Sequence, residues 1–193
     1  MHRDNGELAI VILAGGRATR FPGKLEAQLG GEPLLARVYR QLRDVAPAFV
    51  AGAGNLSHAL DDALDCPLVI DRWPGRGPLG GLLSAACETH ARHIFAVAGD
   101  APHVNAEVIA ALRAAWQDGD EAVVPEHDGR LEPLAALYDR EAMLREAWAC
   151  MQDEDRSMRA LLARLRVRTV TLPAAFFLNV NTKDDLPRLQ ETV

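Results

Sequence analysis

Short apolar runs alternate with amphipathic helical stretches along most of this chain, and no other feature restricts its fold as strongly. Residues 8–13 are an unbroken run of Leu, Ala, Ile and Val that ends at Gly15 and Gly16, the pattern of a buried strand entering a tight turn. Residues 33–43 set Leu34, Leu35, Val38 and Leu42 at helical spacing behind Pro33. Residues 49–51 and 67–70 predict the second and third strands. A short helix over 56–64 lies between them, with Ser57 as its candidate cap. A Gly- and Pro-rich loop over 72–78 leads to a helix starting near Leu79. Residues 93–98 predict a fourth strand, 105–116 an amphipathic helix with Val108, Ile109, Leu112 and Trp116 on one face, and 121–125 a fifth strand. Beyond that point the alternation weakens. Asp128-Gly129 suggests a hairpin. Leu144, Ala147, Trp148 and Met151 mark one helix face, and Met158, Leu161, Leu162 and Leu165 another. Residues 167–172 alternate like a strand, and 178–182 lead into a last helix over 183–191.

Strands joined through helices pair in parallel, and a parallel sheet must be covered on both faces. The expected fold class is therefore α/β, a Rossmann-like three-layer sandwich with a mainly parallel sheet. With 193 residues and no internal repeat or low-complexity linker, residues 1–193 are expected to form a single domain. Ligands of such folds bind beyond the carboxyl ends of the strands. Three segments fall there: the glycine loop after the first strand, Asp71 after the third and Asp100 after the fourth.

The formal net charge of −6 argues against non-specific binding to nucleic acid or anionic lipid, and leaves room for a local basic site. Cys66, Cys87 and Cys150 are scattered without metal-ligand spacing, which suggests reduced thiols rather than a disulfide framework. There is no apolar run of membrane-spanning length and no signal-peptide pattern at the N-terminus, so the expected location is the cytoplasm, with no membrane partner.

Four segments could carry chemistry. In the first, Leu13-Ala14-Gly15-Gly16, the glycines let backbone N–H groups approach phosphate, and Arg17, Arg20 and Lys24 could neutralise a triphosphate. It is not a Walker A loop: six residues separate Gly16 from Gly23, and Leu25 follows the lysine where Ser or Thr would bind Mg²⁺. The second, Gly99-Asp100-Ala101-Pro102, places a carboxylate where a hard cation such as Mg²⁺ can be held; the plainer reading is an Asp that caps a turn. The third, Asp71 with residues 75–81, could close over a nucleotide, or be a surface loop shaped by Pro74 and Pro78. In the fourth, Asn179-Val180-Asn181-Thr182, alternation points both amides the same way, although Asn181 or Thr182 could simply cap the following helix. His90 and His93 do not form a helical metal face, and no nucleophile-elbow pattern is present.

Taken together, Leu13-Ala-Gly-Gly with Arg20 and Lys24, Gly77-Pro-Leu-Gly-Gly, Gly99-Asp-Ala-Pro and Asn179-Val-Asn-Thr resemble the motifs of the molybdenum cofactor guanylyltransferases, in the same order and at similar spacing. The resemblance implies Mg²⁺-dependent transfer of GMP from GTP to molybdopterin, releasing pyrophosphate. It implies that Leu13, Ala14, Gly15 and Gly16 contact guanine and phosphates, Lys24 sits on the triphosphate, Asp71 holds the nucleoside and Asp100 binds Mg²⁺. Arg20, Asn179 and Asn181 would lie toward molybdopterin, with Lys24, Asp100 and Arg20 as the catalytic set. The second glycine of the first loop favours guanine, since related cytidylyltransferases tend to carry Leu-Ala-Ala-Gly. The chain departs from the family at Gly23, where an Asp is usual before the lysine. It departs again near Gly52, where an Asn is expected, and at Glu132, where an Arg or His precedes the proline. The implied partners are GTP, molybdopterin or another phosphorylated small-molecule acceptor, and a molybdoenzyme or cofactor-biosynthesis protein. The competing readings are a same-fold nucleotidyltransferase using CTP or GTP on a different acceptor, and a catalytically silent nucleotide-binding module that regulates a partner.

Overall fold

A computed structural model describes residues 6–15, 21, 23–52 and 56–190. The first strand, β1 (Leu8–Leu13), is buried at every position. A 3₁₀ turn over Lys24–Glu26 and a small antiparallel hairpin, β2 (Gln28–Leu29) with β3 (Glu32–Pro33), precede α1 (Leu34–Leu42). The chain then runs through β4 (Ala48–Ala51), α2 (His58–Ala63), β5 (Leu68–Val69), α3 (Gly77–Ala86), β6 (His93–Ala98) and α4 (Ala106–Ala115). The C-terminal half holds β7 (Ala122–His127), β8 (Arg130–Leu131), β9 (Ala135–Asp139), α5 (Arg140–Gln152), α6 (Met158–Leu162), β10 (Val167–Thr171) and α7 (Asp185–Gln190).

Apart from the β2–β3 hairpin, the strands form one sheet in the order β10-β7-β9-β6-β1-β4-β5, with β8 hairpinned onto β7. β1 pairs in parallel with both β6 and β4, as the βα alternation requires. The departure is β9, which lies between β6 and β7 and runs antiparallel to both. Successive side chains of β1 go to opposite faces. Ile10 and Ile12 join Leu35, Val38, Leu60, Val108 and Leu112 in one core layer. Val11 and Leu13 join Leu79, Leu82, Leu83, Met143 and Leu161 in the other. The mainly parallel sheet with helices on both faces is thus present. A third apolar cluster, Phe21, Leu29, Leu34, Val180 and Leu189, ties the β2–β3 hairpin to the C-terminal segment.

The cap expected at Ser57 is present, its hydroxyl accepting from the Leu60 N–H. The Asn105 side chain also accepts, from the Glu107 N–H at the start of α4. Helix α3 begins at Gly77, two residues ahead of Leu79: Pro78 occupies the first turn, where its missing N–H costs no intrahelical bond. The capping expected of Asn181 or Thr182 runs the other way, because the N–H groups of both donate to Asp185 Oδ2 at 2.8 Å. Cys150 is buried and Cys66 and Cys87 are partly buried, all three unpaired; burial pushes the Cys66 thiol up to about 11.

Glu121 fastens three strands at one end of the sheet. Its N–H donates to the Arg166 carbonyl before β10, and its carbonyl accepts from the Asp139 N–H that ends β9. Its buried carboxylate accepts from the Arg166 N–H at 3.0 Å and from Arg145 at 3.0 Å. These donors hold the carboxyl below its ordinary pKa, the Arg166 N–H most strongly. Glu121→Ala is expected to lower stability by about 1.5–3 kcal/mol at neutral pH. A group whose folded pKa is depressed contributes above its unfolded pKa and loses that contribution as pH falls through the folded one. The gap between variant and wild type, read by urea denaturation, should therefore narrow below about pH 4.5.

Candidate active site

The carboxyl ends of β1, β4 and β6 open onto one crevice. The Ala14 N–H donates to the Ala51 carbonyl at 2.8 Å and the Gly99 N–H to the Leu13 carbonyl at 3.0 Å, so the loops after all three strands leave from bonded neighbours. Gly52 follows β4 with φ +83°, and a Cβ there would lie 2.7 Å from both the Cα and N of Gly15. Only glycine permits this left-handed residue to pass so close to the neighbouring backbone. An asparagine at position 52 itself would meet that contact.

A cavity of about 430 Å³ is lined by Leu13, Gly15, Lys24, Gly52, Pro78 and Asp100. Across it, the Lys24 ammonium is ion-paired with the Asp100 carboxylate, and both side chains are more than four-fifths buried. Gly23, at φ +72°, turns the chain into the 3₁₀ turn that carries Lys24. A second cavity of about 560 Å³ shares Leu13, Gly15, Gly52 and Pro78 with the first and extends to Asp71, Gly77 and Gly81. The N-terminus of α3 faces this space through Gly77 and Pro78, and its first turn carries no acidic residue. Free N–H groups and the helix dipole there favour a phosphate or other anion.

Asp71 is fixed by the turn into α3. Its Oδ1 accepts from the Trp73 N–H at 2.8 Å and lies 3.3 Å from the Ser84 hydroxyl, which itself accepts from the Arg72 N–H. Gly80 allows this packing, since a Cβ there would come within 2.8 Å of the Trp73 carbonyl oxygen. Within 75–81, α3 takes in everything from Gly77 onward and leaves only Gly75 and Arg76 ahead of the helix.

A third cavity of about 270 Å³ continues from the first at Ala98, Asp100 and Leu134 and reaches Glu132, Phe177 and Asn179. The Val180 N–H donates to the Asp100 carbonyl at 3.1 Å, which places the fourth motif against the second. Val180 is buried, and Asn179 and Asn181 on either side of it are exposed. The crevice thus brings together Leu13, Ala14, Gly15, Lys24, Asp71, Asp100 and Asn179. Gly16, Arg17 and Arg20 lie outside the described residues. Sequence reading did not pick out Leu134 or Phe177: both are ordinary apolar residues, brought to the site by the excursion through β8 and β9 and by the turn after β10. Among the described residues no group of three or more His, Cys, Asp or Glu side chains is placed to hold a metal ion, and no helix is long and apolar enough to cross a membrane.

Comparison with known proteins agrees with this geometry. The model of the MobA-like NTP transferase domain matches residues 10–170. A molybdenum cofactor guanylyltransferase of Sinorhizobium fredii is 34% identical, covering 97% of this chain and 93% of its own. One from Rhizobium leguminosarum bv. trifolii is 35% identical, covering 93% and 90%. The crystal structure of molybdopterin-guanine dinucleotide biosynthesis protein A from Archaeoglobus fulgidus superposes with a TM-score of 0.79 at 26% identity, covering 95% of this chain and 97% of that one. With its sheet, its strand-end crevice and its sequence all in agreement, the chain belongs to the MobA-like NTP transferase family and is a nucleotidyltransferase.

Proposed function

We propose that this protein, as a single domain acting in the cytoplasm, transfers GMP from GTP to molybdopterin and releases pyrophosphate. The observation that carries the reading is the buried Lys24–Asp100 pair in a crevice that also holds the α3 N-terminus and Asn179. In the reaction an oxygen of the acceptor's phosphate bonds to the α-phosphorus of GTP. The bond from that phosphorus to the β-phosphate bridge breaks, and the electron pair leaves with pyrophosphate. The acceptor phosphate is ionised at neutral pH and needs no general base, so catalysis rests on positioning and charge neutralisation.

Lys24 accompanies the negative charge that builds on the leaving pyrophosphate, as a fixed cation in a site sheltered from water. The N–H groups at the start of α3 supply further donors to the phosphate chain. Asp71 and the backbone of Leu13 to Gly15 hold the nucleoside end, and Asn179, with Asn181 and Arg20, holds the acceptor. A single carboxylate at the mouth of β6 suits Mg²⁺, which is commonly bound by one or two carboxylates with the rest of its six oxygens drawn from phosphates and water. Asp100 is the residue that would hold it, and bound there Mg²⁺ would supply Lewis-acid polarisation of the phosphate oxygens. A silent regulatory module has no need to bury a lysine and an aspartate together in its nucleotide crevice.

Calorimetry with Mg²⁺ present is expected to give tighter binding of GTP than of CTP, ATP or UTP. A preference for CTP would transfer the protein to the cytidylyl branch of the same chemistry. Lys24→Ala should weaken GTP by about 1.5–3 kcal/mol while affecting GMP less, because its partner is the phosphate chain. Equal losses would place the lysine elsewhere. Asp100→Ala and Asp100→Asn should each cut pyrophosphate release from GTP plus molybdopterin by about 100-fold or more. Melting temperature serves as the fold control, and near-normal turnover in a folded Asp100→Asn protein would remove Asp100 from the catalytic set.

A further inference from the structure

The third cavity carries a second carboxylate, from a turn that is unusually well fixed. The Glu132 N–H donates to the Pro125 carbonyl at 2.9 Å, and the Glu132 carbonyl accepts from the Ala135 N–H at 3.1 Å. The next residue's carbonyl, that of Pro133, accepts from the hydroxyl of fully buried Tyr138 at 2.7 Å, and the Leu134 carbonyl accepts from the Ala98 N–H at 3.0 Å. The side chain is oriented as firmly as the backbone. His127 Nε2 lies 2.8 Å from Glu132 Oε1. Because an ionised carboxylate only accepts, the imidazole must donate. The His127 ring stacks on Phe177, with centroids 5.3 Å apart and planes within 11°. Phe177, Glu132, Asp100 and Asn179 all line the same cavity.

This arrangement gives the cavity two unlike ends. At the Asp100 end a lysine balances the carboxylate. At the Glu132 end no Lys or Arg among the described residues pairs with the carboxylate, and Oε2 has no hydrogen-bond partner among them. A phosphate would be repelled from Glu132 and accommodated beside Lys24 and the α3 N-terminus. A planar ring with adjacent N–H donors would be oriented the other way, since the ring N–H and exocyclic NH₂ of an aminopyrimidinone match the two oxygens of a carboxylate. We propose that Glu132, oriented by His127, reads the N–H edge of the acceptor's heterocycle, so that it selects an aminopyrimidinone-bearing phosphate ester and fixes which end of it faces the nucleotide. This rests on the reading above of the acceptor as a phosphorylated pterin. Glu132 is a substrate-binding residue, and His127 is a positioning residue that acts through it.

The test measures binding, independently of transfer, with two probes: 6-hydroxymethylpterin phosphate, followed by its fluorescence, and phenyl phosphate, which has a flat ring and a phosphate but no ring N–H donors. The wild-type protein should bind the pterin ester about tenfold or more tightly than phenyl phosphate, the factor expected of hydrogen bonds to a charged group. Glu132→Gln should lose most of that preference and Glu132→Ala all of it, with affinities for phenyl phosphate and GTP and the melting temperature unchanged. His127→Phe keeps a ring against Phe177 but removes the donor, and should lose part of the preference with the same controls unmoved. A wild-type protein that binds both probes equally, or binds neither, or a pterin preference that survives in Glu132→Ala, overturns the proposal. If the preference depends on Glu132 but the protein makes no guanine dinucleotide product, the assignment of the edge-reading residue stands and the proposed transfer falls. If transfer proceeds and the preference ignores Glu132, the reverse holds.

Discussion

Everything at the crevice depends on the pairing of β1 with β6. Six residues of each strand lie in parallel register, from Leu8 opposite His93 to Leu13 opposite Ala98. Both strands are buried along most of their length, so a slip in register would expose apolar side chains on one face or force them into the wrong layer on the other. The Gly99 N–H then bonds to the Leu13 carbonyl and carries the pairing one residue past the strands. Two loops that begin 86 residues apart, counted from Leu13 to Gly99, are thereby made to start side by side. On the other side of β1, the contact of Gly15 with Gly52 does the same for β4. The site is a consequence of where three central strands end.

Among the described residues the crevice is lined by Lys24 and by the carboxylates of Glu26, Asp71, Asp100 and Glu132, so its fixed charges do not offset those of the whole molecule. A chain of net charge −6 repels a triphosphate at long range, so attraction has to be local and sheltered. In the proposed reaction Lys24 and the α3 N-terminus would supply it, at a site where the dielectric is lower than in water. In the structure Lys24 is balanced by Asp100, which spares the protein an unpaired charge in a largely buried place. A nucleotide carrying its own cation can replace both halves of that pair at once, phosphate oxygens meeting the ammonium and the cation meeting the carboxylate. Charge balance is kept in both states.

The parallel part of the fold was legible because its signal is periodic. Buried strands read as apolar runs, the helices between them show 3.6-residue spacing, and β1, β6 and α4 fall close to where the sequence places them. The antiparallel strand β9 was not legible: nothing in Ala135–Asp139 indicates that the chain turns back between β6 and β7, because pairing partners are set by long-range contacts. The short β2–β3 hairpin escaped for a similar reason, being stabilised by Leu29 and Leu34 packing on Val180 and Leu189 from the other end of the chain. In the site, Asp71 and Asp100 could be named because they stand just past strand ends, and Lys24 because it belongs to the glycine-rich loop after the first strand. Gly52 gave no local signal of its left-handed backbone. The bond between His127 and Glu132 could not be foreseen either, since it depends on how tightly the turn after β8 is folded.

Residue 100 also joins the two halves of the reaction mechanically. Its side chain meets Lys24, which the proposed reaction puts on the nucleotide side, while its carbonyl holds the N–H of Val180 on the proposed acceptor side. Val180 is fully buried in the cluster that includes Phe21 and Leu29, so the segment carrying Asn179 and Asn181 cannot shift without disturbing the chain that leads into the 3₁₀ turn of Lys24. Phosphoryl transfer needs the attacking oxygen and the leaving group held close to a line, and displacements of about 1 Å are costly. Independent loops would reach that alignment only at the expense of their own ordering. Here the lysine, the aspartate and the asparagine segment share one set of contacts, so in the proposed reaction the fold would set the distance between the two substrates before either arrives.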